Sequence, residues 1–191
     1  MTNHKARLAV LGALLMGCAC WLTSVQAELA SAPPVECALD NHPQLATCPP
    51  IAQLLASEHQ PAGVVFEVME NDAAAFKALT PAFKNLHAQL AEQIPDMPVL
   101  LVTHGNELFS FLNTENNASQ NFLAFAQQEE ITVTGCRFYT ELRGQDVQAL
   151  SEQIALADSA TDYLDEKQAA GFLVIRLRTP NTEPELWLWE E

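Results

Sequence analysis

Cys136 is the residue of this chain best placed to do chemistry. It ends an apolar run, Ile131-Thr132-Val133-Thr134-Gly135-Cys136, of the kind that forms a strand buried on both faces. Open parallel sheets bind their ligands outside the carboxyl ends of the strands, so the thiol falls where such folds carry reactive groups. The thiolate is the nucleophile, and cations or a helix N-terminus favour it. Arg137 and Arg143 stand close in sequence, and a helix is expected soon after. His104 ends a second apolar run, Met97-Pro98-Val99-Leu100-Leu101-Val102-Thr103-His104, with Gly105 behind it. On the same sheet edge it could deprotonate Cys136 as a general base. Plainer roles compete. A free cysteine often packs as a small core hydrophobe. A turn histidine often has its own hydrogen bond, and Gly105 can serve backbone conformation rather than a ligand.

The other cysteines bear on whether Cys136 is free. Residues 1–27 read as a secretory leader. Lys5 and Arg7 precede an apolar stretch from Leu8 to Leu22, and Val25-Gln26-Ala27 gives a small-x-Ala cleavage pattern. Cleavage there removes Cys18 and Cys20, leaving Cys37, Cys48 and Cys136. Leu15-Met16-Gly17-Cys18 is a weaker lipoprotein signal, since apolar residues continue past Cys18. The expected product is a soluble exported protein, periplasmic in a bacterium. In that compartment Cys37 and Cys48 suit a disulfide closing a small loop, which would stabilise by roughly 3 kcal/mol in the chain-entropy model. The alternative pairs one of them with Cys136, and the sequence leaves the connectivity open.

The elements that position these residues follow from periodicity. Residues 28–62 carry repeated prolines and no period, so they read as an irregular segment. Gly63 to Met69 is a buried-type strand. Thr80 caps a helix with Pro81 at its first position, and Phe83, Leu86, Leu90 and Ile94 share its apolar face. The strand ending at His104 comes next, then a short helix at 107–112 and another at 120–128. After Cys136 the sequence predicts a loop through Arg137 and Arg143-Gly144 and a helix over 146–156. A helix over 161–170 follows, with Gly171 at its C-cap. Phe172 to Leu177 is the last clear strand. Residues 179–191 form an acidic tail in which Trp187 and Trp189 alternate weakly. Strands alternating with helices imply a three-layer α/β/α domain with a mostly parallel sheet.

Composition excludes several functions. The chain carries a formal charge of −15, and leader cleavage would remove two cations and no acid. Nucleic acids and anionic membrane surfaces need basic patches, so neither is an expected partner. No later segment is apolar enough to span a bilayer. There is no phosphate-binding loop, dinucleotide glycine fingerprint or serine nucleophile elbow. No histidine or cysteine spacing suggests a metal site, and no cofactor is expected. A thiol–disulfide redox role lacks the Cys-x-x-Cys pair it would need.

Three stretches resemble the DsrE/DsrF-like family, whose members are associated with sulfur oxidation and sulfur relay. They are Val99 to Gly105, Ile131 to Cys136 with Leu142-Arg143-Gly144, and Tyr163-Leu164-Asp165-Glu166-Lys167-Gln168-Ala169-Ala170-Gly171-Phe172. The likeness covers residues 63–178. It implies a flavodoxin-like α/β/α domain, often assembled into homo-oligomers. It also implies that Cys136 matches the cysteine that carries persulfide sulfur. The partner would be a sulfur donor or acceptor protein, or a small sulfur compound. The chain would act as a carrier more than as a turnover enzyme. The competing expectation is a binding or assembly module of the same fold, with Cys136 inert or bridged.

Overall fold

The computed structural model describes residues 35–38, 51, 54, 56, 57, 59–113, 115 and 117–179. The expected leader, Cys48, Trp187 and Trp189 lie outside them. Six strands form one sheet, β1 (Val35–Ala38), β2 (Gly63–Val68), β3 (Val99–Thr103), β4 (Thr132–Cys136), β5 (Ala155–Ala157) and β6 (Phe172–Arg178). Their order is β1-β6-β2-β3-β4-β5, and every pairing is parallel. The helices are α1 (Ala75–Gln93), α2 (Asn117–Gln128), α3 (Arg137–Leu142), α4 (Val147–Ser151) and α5 (Ala160–Ala169), with a 3₁₀ helix at Asn106–Leu112.

Strand alternation divides the core in two. Val64, Phe66, Val68, Leu101, Val133, Ile175 and Leu177 pack with α1, α2, the 3₁₀ helix and Leu150 of α4. Val65, Val102, Cys136 and Val174 face the other way and pack with Ala160 and Leu164 of α5. The result is a three-layer α/β/α fold of flavodoxin-like architecture, as the alternating pattern predicts. Its strand order differs from the 2-1-3-4-5 of flavodoxin itself. Consecutive strands β2 to β5 lie side by side, and α5 then carries the chain back so that β6 pairs beyond β2. The connections leaving β4 and β5 therefore pass to opposite faces, which opens a crevice at the carboxyl edge beside Cys136.

Four local expectations are corrected. The segment expected to be irregular contributes β1, whose four residues are too few for a period and are held by backbone pairing to β6. Pro81 lies inside α1 rather than at its start. The helix begins after an Asx turn in which Asp72 Oδ1 accepts from Ala74 N at 2.8 Å, and Thr80 Oγ1 donates to Phe76 O at 2.5 Å in the turn before the proline. The loop expected after Cys136 is helix α3. The helix expected over 146–156 stops at Ser151, and its last residues form β5 at the sheet edge.

Candidate functional site

Four neighbouring strands bring polar side chains to one place. On the α5 face, the row through Val65 ends at Glu67 and the row through Val102 continues to His104. Val174 leads to Arg176 in the same way, and Thr134 to Cys136. Glu67 pairs in register with Arg176 across β2 and β6. Thr103 pairs with Gly135 across β3 and β4, so His104 and Cys136 are the next residues along those strands. From β6 to β4 the row reads Arg176, Glu67, His104, Cys136.

A cavity of about 430 Å³ opens over this row. The four residues form its floor, with Met69, Leu164 and Val174 as apolar wall. Phe138 and Leu142 of α3 stand at its rim and are 57% and 60% exposed, large apolar side chains left in solvent. Ser159, Thr161, Asp165 and Gln168 supply the polar side from α5 and its N-cap.

Glu67 is buried, at 1% exposure. Its Oε2 accepts from Arg176 Nε at 2.9 Å and its Oε1 from Arg176 Nη2 at 3.1 Å. Oε1 also lies 2.8 Å from His104 Nε2. Burial alone would raise this carboxyl, but the hydrogen bonds and charges of His104 and Arg176 more than offset it and hold it below the usual range. Glu67 is therefore ionised, and its charge is met by Arg176.

Cys136 is a free thiol, 5% exposed. It caps α3, and its Sγ accepts from Tyr139 N at 3.4 Å. Its carbonyl accepts from Thr140 Oγ1 at 2.7 Å. These contacts start a helix where turn residues suggested a loop, and Gly144, at φ 65°, follows its end. Cys37 is disulfide-bonded, and since Cys136 is free the two are not joined. That removes the bridged alternative for Cys136. Cys48, the other half of the expected bridge, lies outside the described residues.

The remaining sequence candidates sit elsewhere. Gly105 does not line the cavity. A Cβ there would stand 2.3 Å from Glu107 Oε2 and 2.4 Å from Glu70 O, so close packing explains the glycine. Arg137 is half-exposed and pairs with Asp158 at 3.2 Å. Arg143 braces α3: it donates to Tyr139 Oη at 3.1 Å and to Asn106 Oδ1 at 2.9 Å, and lies over the Tyr139 ring. The cation of the cavity is Arg176. Together with Glu67 it carries the signal that could have found the site: an opposite charge in the middle of each of two apolar strands.

A second acidic group supports the edge from below. Glu107 is fully buried and accepts from Thr103 Oγ1 at 2.6 Å, Gly105 N at 3.0 Å and Glu70 N at 2.7 Å. Burial dominates these bonds and pushes its carboxyl up to about 7. It ties the loops after β2 and β3 together beneath His104. Among the described residues no group of three or more acidic, histidine or cysteine side chains could hold a metal ion, and no helix is long and apolar enough to cross a membrane.

No known family model matches the chain, and no curated protein matches it. Among solved structures, the chain is similar to a protein of unknown function, MTH1491, from Methanobacterium thermoautotrophicum. The two share 20% identity over 59% of this chain and 96% of that one, with a TM-score of 0.49.

Proposed function

We propose that this chain is a DsrE/DsrF-like sulfur carrier that holds sulfane sulfur as a persulfide on Cys136, working in the periplasm after export. The observation that carries the reading is the free Cys136 thiol on the floor of a cavity at the carboxyl edge of the sheet, while Cys37 is locked in a disulfide. In loading, the Cys136 thiolate attacks the outer sulfur of a donor persulfide R–S–SH. The donor S–S bond breaks, R–S⁻ leaves, and Cys136–S–SH remains. No external oxidant is needed. The cavity volume falls within the range of small-molecule pockets, which favours a small persulfide or the tip of a donor side chain. The exposed Phe138 and Leu142 offer an apolar rim where such a partner, or a second subunit of a homo-oligomer, would rest.

The test is incubation with inorganic tetrasulfide followed by peptide mass mapping. The reading expects one added sulfur on the Cys136 peptide and none in Cys136→Ser at unchanged thermal stability. Equal uptake by the variant would end it. The low exposure of Cys136 favours a second reading, a binding module in which the thiol only packs. That reading expects no uptake, and alkylation of Cys136 only after unfolding.

A further inference from the structure

The polar row beneath the cavity is longer than a carrier thiol needs, and its hydrogen bonds fix a proton. An ionised carboxylate only accepts, and Glu67 takes two N–H groups of Arg176. His104 Nε2, 2.8 Å from Oε1, must therefore carry its hydrogen. In a neutral imidazole that leaves Nδ1 as the lone pair. Nδ1 makes no hydrogen bond with the described residues, and none joins His104 to the Cys136 sulfur, whose contact is Tyr139 N. The two residues are nonetheless next neighbours on adjacent strands and face the same cavity. A second sulfur on Cys136 would extend its reach by about 2 Å.

We infer that His104 Nδ1 takes up the proton of the outer sulfur of a persulfide on Cys136, and that Glu67 and Arg176 are positioning residues that lock the imidazole in the tautomer able to do so. The inference rests on the carrier reading. In the stored state, Cys136–S–SH gives its proton to Nδ1, leaving Cys136–S–S⁻ beside an imidazolium paired with Glu67. In delivery, Nδ1 returns the proton to the outer sulfur as an acceptor thiolate A–S⁻ attacks it. The S–S bond breaks, its electrons return to Cys136 as thiolate, and A–S–SH leaves. Charge and atoms balance, and the imidazole ends neutral. The charged and titratable groups that line the cavity with the imidazole are Glu67 from β2, Arg176 from β6, Cys136 from β4, Tyr139 from α3 and Asp165 from α5, and Glu107 lies beneath it in the turn after β3.

The experiment loads full-length protein to completion with inorganic tetrasulfide. It then follows sulfur transfer to N-acetylcysteine by mass, across the pH range in which histidine titrates. His104→Gln is expected to transfer about a hundredfold more slowly near neutral pH and to lose the histidine limb of the profile. Glu67→Gln takes the carboxylate away from Arg176 and risks the fold, so the second variant is Glu67→Met with Arg176→Met, since replacing both members of a buried pair is often tolerated. It keeps His104 without its partner carboxylate, and transfer is expected to slow about tenfold, with a pH profile that differs from that of the wild type. A merely structural role would leave the profile in place. Normal loading with unchanged rates and profiles in both variants would overturn the inference alone. A wild-type protein that takes up no sulfur would overturn the carrier reading and the inference with it.

Discussion

Two buried glutamates at the carboxyl edge answer pH in opposite directions. Burial raises Glu107 to about 7, so its folded form keeps a proton that the unfolded chain gives up near the ordinary carboxyl value of 4.5. Its contribution to stability is full below 4.5 and is lost as pH rises through about 7. Shifts of this size correspond to about 3 kcal/mol across that window. Glu67, held below its usual value by Arg176 and His104, behaves the other way. Its contribution is present above 4.5 and is lost as pH falls through its lowered folded value. Urea midpoints taken at a series of pH values should separate the two. Glu107→Gln is expected to flatten the curve between 4.5 and 7 and leave the acid limb, whereas the Glu67→Met/Arg176→Met pair should remove the acid limb. Glu67→Gln alone removes the charge that Arg176 faces across the sheet. Because that side chain is 26% exposed, the expected loss falls at the low end of roughly 3–5 kcal/mol for breaking a buried pair.

At the scale of elements, the turn after β3 is built around the absence of a side chain at Gly105. A methyl there would meet Glu70 backbone atoms at 2.4 and 2.5 Å, which cannot swing aside as a flexible side chain can. Gly105→Ala is therefore expected to cost about 1–3 kcal/mol, read as a lower denaturation midpoint, and to weaken the alignment of His104. A midpoint unchanged within error would show that the loop shifts freely. The same region shows what a sequence discloses. β2, β3, β4 and β6 were legible because each is a run of apolar residues, and α5 because Gly171 marks its end, while its Ser159 N-cap came only with the structure. β5 was not, since three residues following α4 continue a helical apolar pattern until the edge of the sheet captures them. α3 was hidden because a cysteine thiol serves as its N-cap. Cys136 and His104 were legible as strand ends. Glu67 and Arg176 each show as a charge within an apolar run, but their pairing was not legible, because only the sheet register brings residues so far apart in sequence together.

For the whole molecule, the disulfide at Cys37 matters because of where β1 lies. Among the described residues β1 pairs with β6 alone, with Cys37 opposite Leu177. β6 lies between β1 and β2 and carries Arg176 into the site. Without β1, β6 would become an edge strand with unpaired backbone groups. The disulfide therefore holds the cover of the strand that supplies the cavity's cation. Loss of a native disulfide in a domain of this kind costs about 2–5 kcal/mol, so Cys37→Ser should lower the unfolding midpoint. Hydrogen exchange decides how the loss is distributed. If the sheet opens in parts, amides of Ile175, Arg176 and Leu177 should lose protection while those of Val102 and Val133 keep theirs. Cys136 should then still take up one sulfur, but deliver it with the weakened profile of a site whose Arg176–Glu67 lock has loosened. If protection falls equally from β1 to β5, the sheet opens as one unit, and the disulfide stabilises the fold without any particular hold on the site.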